Sequence, residues 1–190
     1  MEERIALGSG KIYLEERPAT LETDLEDLDA LITKYCVEDK EFGAVKNGAT
    51  LTYSPTNYTA SDDLGRFTKT IVQDETVTLG CGLITVGANM LKALVDTARV
   101  EETKSKKQVI KIGGTANAKN ATYLVIFEHL DAKDGNIYVI IAGKNTAELQ
   151  FAFQPGTETI LNPTFTAEGL DDAGTKLIII MDKPKGAIEA

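Results

Sequence analysis

Two apolar runs constrain the fold of this chain more than any other feature of its sequence. Residues 123–127 and 137–141 are rich in β-branched and aromatic side chains and contain no charged residue. Strands have this composition when other parts of the protein cover both of their faces. The segment between the two runs contains Asp134-Gly135, which is a hairpin turn signal. The runs therefore predict two strands that are covered on both faces and joined by a hairpin turn.

Two further segments alternate between apolar and small or polar residues, a pattern typical of half-buried strands. In segment 76–83 the apolar positions are Val77, Leu79, Cys81 and Leu83, and the other positions are Thr76, Thr78, Gly80 and Gly82. Segment 148–154 has the same alternation, with Glu148, Gln150, Ala152 and Gln154 as its small or polar positions. We expect both segments to be strands, and residues 176–181 to form a last one.

Apolar residues at helical spacing predict two helices. Steps of three and four residues predict a helix near 24–34, with Thr23 and Glu26 as a capping box. A second pattern predicts a helix near 89–99. The length of 190 residues suits one domain with a sizeable core. The sequence thus predicts a single mainly-β (α+β) domain, a β-sandwich or barrel with one or two flanking α-helices.

Composition and charge limit the classes of function. Hydrophobic residues make up 43% and charged residues 26% of the chain, as in folded water-soluble proteins, and no run is long enough to be a membrane span. The net charge of −9 argues against a sequence-reading nucleic-acid binder, which needs basic surface. No secretory signal is recognisable, so we expect synthesis in a cytoplasm, with Cys36 and Cys81 as free thiols.

The run Gly8-Ser9-Gly10-Lys11 raises the possibility of a phosphate-binding loop. Such a loop needs a glycine five positions before the Gly-Lys pair and a Ser or Thr after it, but Ile5 and Ile12 occupy these positions. The stretch instead predicts an early strand with a kink at the glycines.

We found no residue pattern that predicts catalysis or metal binding. The single histidine, His129, follows an apolar strand and cannot form a multi-histidine metal site alone. The adjacent pairs Asp62-Asp63 and Asp171-Asp172 are each followed by a glycine within three residues, as turns are. The 131–136 loop lacks the ligand spacing of an EF-hand calcium loop. We therefore expect no enzyme activity, no cofactor and no metal.

Charge is distributed unevenly along the chain. Residues 15–41 carry ten acids and three bases, whereas residues 92–111 carry six bases and three acids. The two segments are either separate solvated surfaces or complementary patches that meet across a subunit boundary. On the second hypothesis, Lys104, Lys106 and Lys107 contact the acidic segment of a neighbouring copy.

A set of short motifs carries a resemblance to a known family. Asn47-Gly-Ala-Thr-Leu-Thr-Tyr53, Tyr58-Thr-Ala-Ser-Asp-Asp-Leu-Gly65 and Lys69-Thr-Ile71 occur in this order, after an opening Arg4-Ile-Ala-Leu-Gly-Ser-Gly-Lys-Ile-Tyr13. Later matches are Thr97-Ala-Arg-Val100, Ile112-Gly-Gly114, Asp134-Gly135 and Asp171-Asp-Ala-Gly-Thr175. In order and spacing the chain resembles the major tail tube proteins of long-tailed bacteriophages and related prophages. The acidic segment 21–41 and the tail after Met181 depart from the resemblance.

The resemblance implies a structural virion protein with the tail tube fold. Such subunits assemble into hexameric rings that stack into a tail tube, the conduit for genome delivery. The implied partners are further copies of the chain, a tape measure protein in the lumen, tail tip or baseplate proteins and tail terminator proteins. Viral DNA passes through without sequence-specific binding, and no membrane is involved. The implied location is the tail of the virion, after synthesis in the cytoplasm of the bacterial host.

The resemblance also suggests roles for particular positions. The lumen-facing candidates are Thr76, Thr78, Gly80, Gly82, Glu148, Gln150, Ala152 and Gln154. The inter-ring loop is expected at 54–67, with Tyr58, Asp62, Asp63, Leu64, Gly65 and Arg66 as its candidate contacts. The alternative for this loop is an ordinary surface hairpin. The tail at 182–190 is expected to be flexible.

A second function from another class is a monomeric β-sandwich binding module, for carbohydrate or protein, within a larger assembly. Modules of this kind usually present exposed aromatic rings for stacking. The chain has no Trp, and most of its six Phe lie in apolar strand patterns. The sequence therefore favours the structural protein.

Overall fold

The computed structural model describes residues 6, 8–21 and 23–183. Nine strands and two α-helices are formed in this part of the chain. The strands are β1 (Gly10–Glu16), β2 (Val45–Ser61), β3 (Thr68–Leu83), β4 (Arg99–Glu102), β5 (Gln108–Lys111), β6 (Tyr123–His129), β7 (Ile137–Asn145), β8 (Thr164–Glu168) and β9 (Ile178–Met181). The helices are α1 (Leu28–Tyr35) and α2 (Ala88–Leu94), and single 3-10 turns cover Glu38–Lys40 and Thr115–Asn117.

One large antiparallel sheet organises the chain. Its strand order is β1-β6-β7-β8-β3-β2, and β9 also pairs with β7. The strands at the two ends of this order, β1 and β2, contact each other, so the sheet curls towards a barrel. A separate two-stranded ribbon consists of β4 and β5. The prediction of a mainly-β fold with few flanking helices is confirmed.

Apolar clusters cover both faces of the central strands. Val125 and Phe127 of β6 point into the inner cluster, which the curled sheet and α2 enclose. Leu124 and Ile126 point into the outer cluster, which α1 covers. The continuously apolar runs of β6 and β7 are buried on both faces, as their sequence predicts.

The helices begin and end at other residues than the sequence predicts. The Thr23 and Glu26 capping box is wrong, because α1 begins after Asp27 and has no side-chain cap hydrogen bond. A turn delays this helix, since the Asp27 amide donates to the Asp24 carbonyl. The second helix ends early because Val95 adopts extended backbone angles and leads the chain into β4.

The prediction of a strand at 148–154 is wrong for the single chain. These residues lie between β7 and β8 and belong to no strand in the described structure. The Asn145 side chain redirects the chain at the end of β7, since it accepts from the Ala147 amide and donates to the Ala147 carbonyl. A turn at Pro155-Gly156 then sends the chain back towards β8.

The glycine-rich opening belongs to the sheet. Residues 1–5 and 7 lie outside the described structure, and β1 begins at Gly10, opposite His129. Lys11 pairs with Glu41 at 2.8 Å, so its ammonium group is engaged in an ion pair. At the other end, the predicted tail lies outside the described residues from position 184 onwards. Over the described residues, no helix has the length and apolar character needed to cross a bilayer.

Candidate functional site

A long hairpin projects from the sheet. β2 and β3 pair from Val45 and Leu83 at the body to Ser61 and Thr68 at the far end. β8 pairs with β3 only at residues 78–80. Beyond this point the two strands continue without a third strand among the described residues. We call residues 54–76 the hairpin arm; its eight residues in β2 extend about 26 Å at 3.3 Å per residue.

The hairpin arm corrects the sequence expectation for 54–67. Residues 54–61 are not a loop but the second half of β2, and only 62–67 form the turn. A register shift between Thr56 and Asn57 interrupts the ladder of hydrogen bonds within the arm. The expected contact region is thus a projecting two-stranded ribbon, longer than the predicted loop.

Large apolar side chains are exposed on the arm and at its turn. Tyr58 and Ile71 lie opposite each other, and both are exposed. Phe67 is 74% exposed, although a phenylalanine usually belongs to a core. The exposed apolar residues are Tyr58, Leu64, Phe67, Ile71 and Val72. Ile71 and Val72 are adjacent on β3, so these apolar side chains are distributed over both faces of the arm and over its turn.

Asp62 orders the turn of the arm. Its carboxylate accepts a hydrogen bond from the Phe67 amide at 2.8 Å and from Arg66 Nε at 3.3 Å. The Phe67 amide, together with the Arg66 side chain, lowers the pKa of Asp62 below its ordinary value. Gly65 has a φ of 66°, which suits glycine at this position of the turn. The Asp-Asp-Leu-Gly motif therefore forms a turn, as predicted.

The root of the arm is attached to the body by a residue that the sequence did not single out. The Lys176 ammonium group donates to the Glu75 carbonyl and lies 3.7 Å from Asp74 Oδ1. Tyr53 donates its hydroxyl to Glu75 at 3.1 Å. No motif marks Lys176, because its partners lie about a hundred positions away in the chain.

A surface of small hydroxyl side chains covers the outer face of β2, β3 and β8. Thr78 lies between Thr52 of β2 and Thr166 of β8. Gly80 lies in the same way between Thr50 and Thr164. We call this surface the threonine face: Thr50, Thr52, Thr78, Gly80, Thr164 and Thr166. Its border is polar, since Thr146 hydrogen-bonds Thr166 at 2.8 Å and Lys144 lies 3.6 Å from Glu168.

The structure separates the predicted lumen candidates into three groups. Thr76, Thr78 and Gly80 lie on exposed or half-buried parts of β3, and Val77 and Leu79 between them are buried, as predicted. Gly82 is buried instead, because the Lys46 carbonyl and the Ile160 side chain cover it. The group Glu148, Gln150, Ala152 and Gln154 is exposed but lies outside the sheet.

The predicted basic contact lies on the β4–β5 ribbon. Lys104, Lys106 and Lys107 are exposed at its turn and make no ion pair with any described residue. The ribbon packs beside α2 on the inner-cluster side of the sheet. The acidic segment surrounds α1, which packs on the outer cluster. In the described structure, none of the three lysines forms an ion pair with the acidic segment of its own copy.

The single histidine and the two cysteines are buried or half-buried. His129 is buried with Nδ1 3.2 Å from the Ser9 carbonyl, while Nε2 has no hydrogen-bond partner in the described structure. Burial raises the pKa of Cys81 to about 12, and burial together with the Glu128 charge does the same for Cys36. No group of three or more His, Cys, Asp or Glu is arranged for a metal ion in this part of the chain.

An open cleft of about 790 Å³ lies beside α2. Its lining combines Arg17, Lys92 and Lys119 with Tyr123. Lys119 donates to the Lys92 carbonyl at 3.1 Å, and burial and the charge of Lys92 lower the pKa of Lys119. The sequence did not reveal this cleft, because its lining comes from three distant segments.

Comparison with known proteins adds no family assignment. No family model matches the sequence, and no curated protein is significantly similar to it.

Proposed function

We propose that this chain is the subunit of a phage-type tail tube, which assembles into stacked hexameric rings and forms the conduit for genome delivery. The observation that carries the proposal is the hairpin arm. A two-stranded ribbon is marginally stable in water unless a third strand or a packing surface supports it. Among the described residues, the distal arm has neither. Another copy of the chain supplies that support.

The side chains of the arm favour the same role. A surface hairpin with no partner normally carries polar and charged side chains along its edges. Beside polar residues such as Lys69 and Gln73, this arm also exposes Tyr58, Ile71 and Val72, with Leu64 and Phe67 at its turn. Covering these side chains in a contact between copies removes apolar area from water at about 25 cal/mol per Å².

The threonine face is the candidate lumen surface. A conduit for DNA or for a tape measure protein has to avoid binding the molecule that moves through it. Small hydroxyl groups carry no charge that would hold phosphates, and the chain has a net charge of −9. Viral DNA then passes without sequence-specific binding. Tail tip or baseplate proteins and tail terminator proteins complete the proposed assembly in the virion tail.

Size-exclusion chromatography with light scattering, at increasing protein concentration, tests the proposal. Negative-stain microscopy of the same fractions is expected to show rings or hollow rods of constant width. A monomer at every concentration, still inert after tail tip components are added, contradicts the proposal. It would favour the monomeric binding module instead, with the cleft beside α2 as its candidate ligand site.

A shortened arm gives a sharper test. Replacing residues 55–75 by Asn-Gly joins Ser54 to Thr76, which lie opposite each other, through a two-residue hairpin turn. We expect this variant to keep the cooperative unfolding of the body and to lose rods. Rods of normal length from the shortened variant would show that the arm has no role in assembly.

A further inference from the structure

We infer that the hairpin arm of one copy docks on residues 148–153 of the next copy, and that this segment becomes a strand when the arm pairs with it. We call residues 148–153 the receiving segment. The inference rests on the proposed self-assembly and names the two surfaces that meet in it.

The receiving segment has the side-chain pattern of a strand. Leu149 and Phe151 are half-buried and pack against the inner cluster. Glu148, Gln150 and Ala152 are exposed between and beside them. None of these residues has a positive φ. The alternation that predicts a strand from the sequence is therefore present as alternating burial, without the ladder of hydrogen bonds.

The backbone of the receiving segment is almost unpaired within the chain. In the described structure its one hydrogen bond is from the Thr159 hydroxyl to the Ala152 carbonyl, at 2.8 Å. Strand-like backbone with open N–H and C=O groups is a site at which another strand can add. The absence of a pairing strand in the described structure explains why a segment that the sequence predicts as a strand is not one in the single chain.

An exposed aromatic ring ends the receiving segment. Phe153 is 85% exposed, and its ring stacks on Phe151 with centroids 5.9 Å apart and planes 5° apart. The stack extends the inner cluster outwards to a solvent-facing ring. It provides an apolar surface on which the exposed Tyr58, Ile71 or Val72 of an arm can pack.

The arm and the receiving segment would each be stabilised by an additional strand beside them. In the described part of the chain, the distal arm is a two-stranded ribbon without a third strand, and the receiving segment is a strand-like stretch without a pairing strand. Joining them gives a three-stranded unit with apolar side chains on it, which meets the usual requirement for a stable small sheet.

The two surfaces lie at opposite ends of the β2–β3 pair, so one copy cannot satisfy its own arm. The receiving segment belongs to the connection from β7 to β8, and other residues of this connection lie at the body end of the pair, where Leu161 bridges Leu83 and Glu158 pairs with Lys46. The turn of the arm, 62–67, lies at the other end. The strands between these ends are about 50 Å long at 3.3 Å per residue.

This arrangement also fixes the type of assembly. A contact between two different surfaces is heterologous, and repeating it adds copies in one direction. Because the surfaces lie at the two ends of one strand pair, successive copies advance along the direction of that pair. A heterologous contact that advances in this way builds a filament, which is how stacked layers of subunits would be held together.

Cysteine cross-linking tests the docking directly. The variant Thr70→Cys/Gln150→Cys places one exposed thiol on the arm and one on the receiving segment. We expect a short bis-maleimide to convert the assembled variant into a ladder of covalent dimers, trimers and longer species. A cross-link within one copy is excluded by the separation of the two ends. Cys81 is buried, and the unsubstituted protein measures any background from the native thiols.

A matched variant, Ala116→Cys/Gln150→Cys, moves the first thiol to the exposed 3-10 turn at Thr115–Asn117, which belongs to no proposed contact. We expect it to assemble and to give no ladder. If both variants assemble and neither gives a ladder, or if both give equal ladders, the proposed docking is wrong although self-assembly is not contradicted. A protein that stays monomeric even after tail tip components are added overturns both proposals. A ladder from the arm variant alone supports the docking.

Discussion

At the scale of single residues, Gly143 lies where β7 and β8 approach too closely for a side chain. A Cβ atom at this position would lie 2.2 Å from the carbonyl oxygen of Thr166. We expect Gly143→Ala to lower the free energy of unfolding by about 1–3 kcal/mol, the usual cost of overpacking. Urea unfolding followed by circular dichroism measures the change.

Gly80 provides the control for this substitution. It also lies in a paired strand, but a Cβ there would make ordinary contacts at 3.5 Å with the Thr164 hydroxyl. Gly80→Ala is expected to be neutral or slightly stabilising, because alanine loses less conformational entropy than glycine on folding. Equal destabilisation by the two substitutions would contradict the close approach at Gly143.

Asp62 makes the order of the arm turn depend on pH. Hydrogen bonds to the folded carboxylate lower its pKa below the ordinary value of 3.8. A group whose pKa is lower in the folded state than in the unfolded state stabilises the fold at pH values above its unfolded-state pKa. This stabilisation is lost as the pH falls through the folded-state pKa. We expect the Phe67 amide to lose protection from hydrogen exchange as the pH falls below about 4, after correction for the intrinsic rate.

The variant Asp62→Asn should show the low-pH behaviour of this amide already at neutral pH. Asp63→Asn provides the control, because the exposed Asp63 side chain makes no hydrogen bond that involves Phe67 among the described residues. If Asp63→Asn affects the Phe67 amide as strongly as Asp62→Asn does, the assignment of the turn to Asp62 is wrong.

At the scale of elements, the β4–β5 ribbon is predicted to act through its charge. The triple reversal Lys104→Glu, Lys106→Glu and Lys107→Glu replaces attraction by repulsion towards the acidic surface around α1. Exposed ion pairs contribute about 0.2–1 kcal/mol each, so we expect the concentration needed for assembly to rise about tenfold. Light scattering across a concentration series measures this shift.

The compensating variant reverses three exposed acids around α1, Asp24→Lys, Glu26→Lys and Asp29→Lys, in the same chain. Because a head-to-tail contact places the basic surface of one copy against the acidic surface of the next, the double reversal should restore assembly. Unchanged assembly of the triple lysine variant would refute the contact. If the triple reversal of the lysines weakens assembly and the compensating variant does not restore it, the partner of the lysines lies elsewhere on the surface.

Some of these elements could be predicted from the sequence, and others could not. The β6 and β7 strands could be predicted because Leu124 and Val125 are both apolar, and only burial on both faces explains this pattern. The arm could not, because Tyr58, Ile71 and Val72 have the same β-forming character whether a strand is buried or projects into solvent. The receiving segment was predicted as a strand from a genuine alternation, but a strand also needs a partner, which local sequence does not specify.

At the scale of the whole molecule, the β2–β3 pair connects the core, the threonine face and the arm. Val77 and Leu79 point into the inner cluster, whereas Thr78 between them points outwards. The same strands continue past the body as the arm. A change in the packing of the core therefore reaches both candidate surfaces through a continuous backbone, so assembly variants have to be compared at equal stability of the body.

If the threonine face lines the conduit, added positive charge on it should hold DNA inside the tube. The variant Thr50→Lys, Thr78→Lys and Thr166→Lys adds three cations to a face that is neutral at these positions. If this face lines the conduit, assembled tubes of the variant should hold duplex DNA and protect it from nuclease, whereas wild-type tubes should protect none. The protection should fall steeply as salt increases, because each phosphate contact releases counterions on binding.

A variant with the same added charge elsewhere separates position from net charge. Ala116→Lys, Ala132→Lys and Ala173→Lys place the three cations on exposed turns that belong to no proposed contact. Both variants have a net charge of −6 by the same count that gives −9 for the natural chain. If the two protect equal amounts of DNA, binding follows net charge alone and the threonine face does not line the conduit. Protection by the first variant only would place that face towards the lumen.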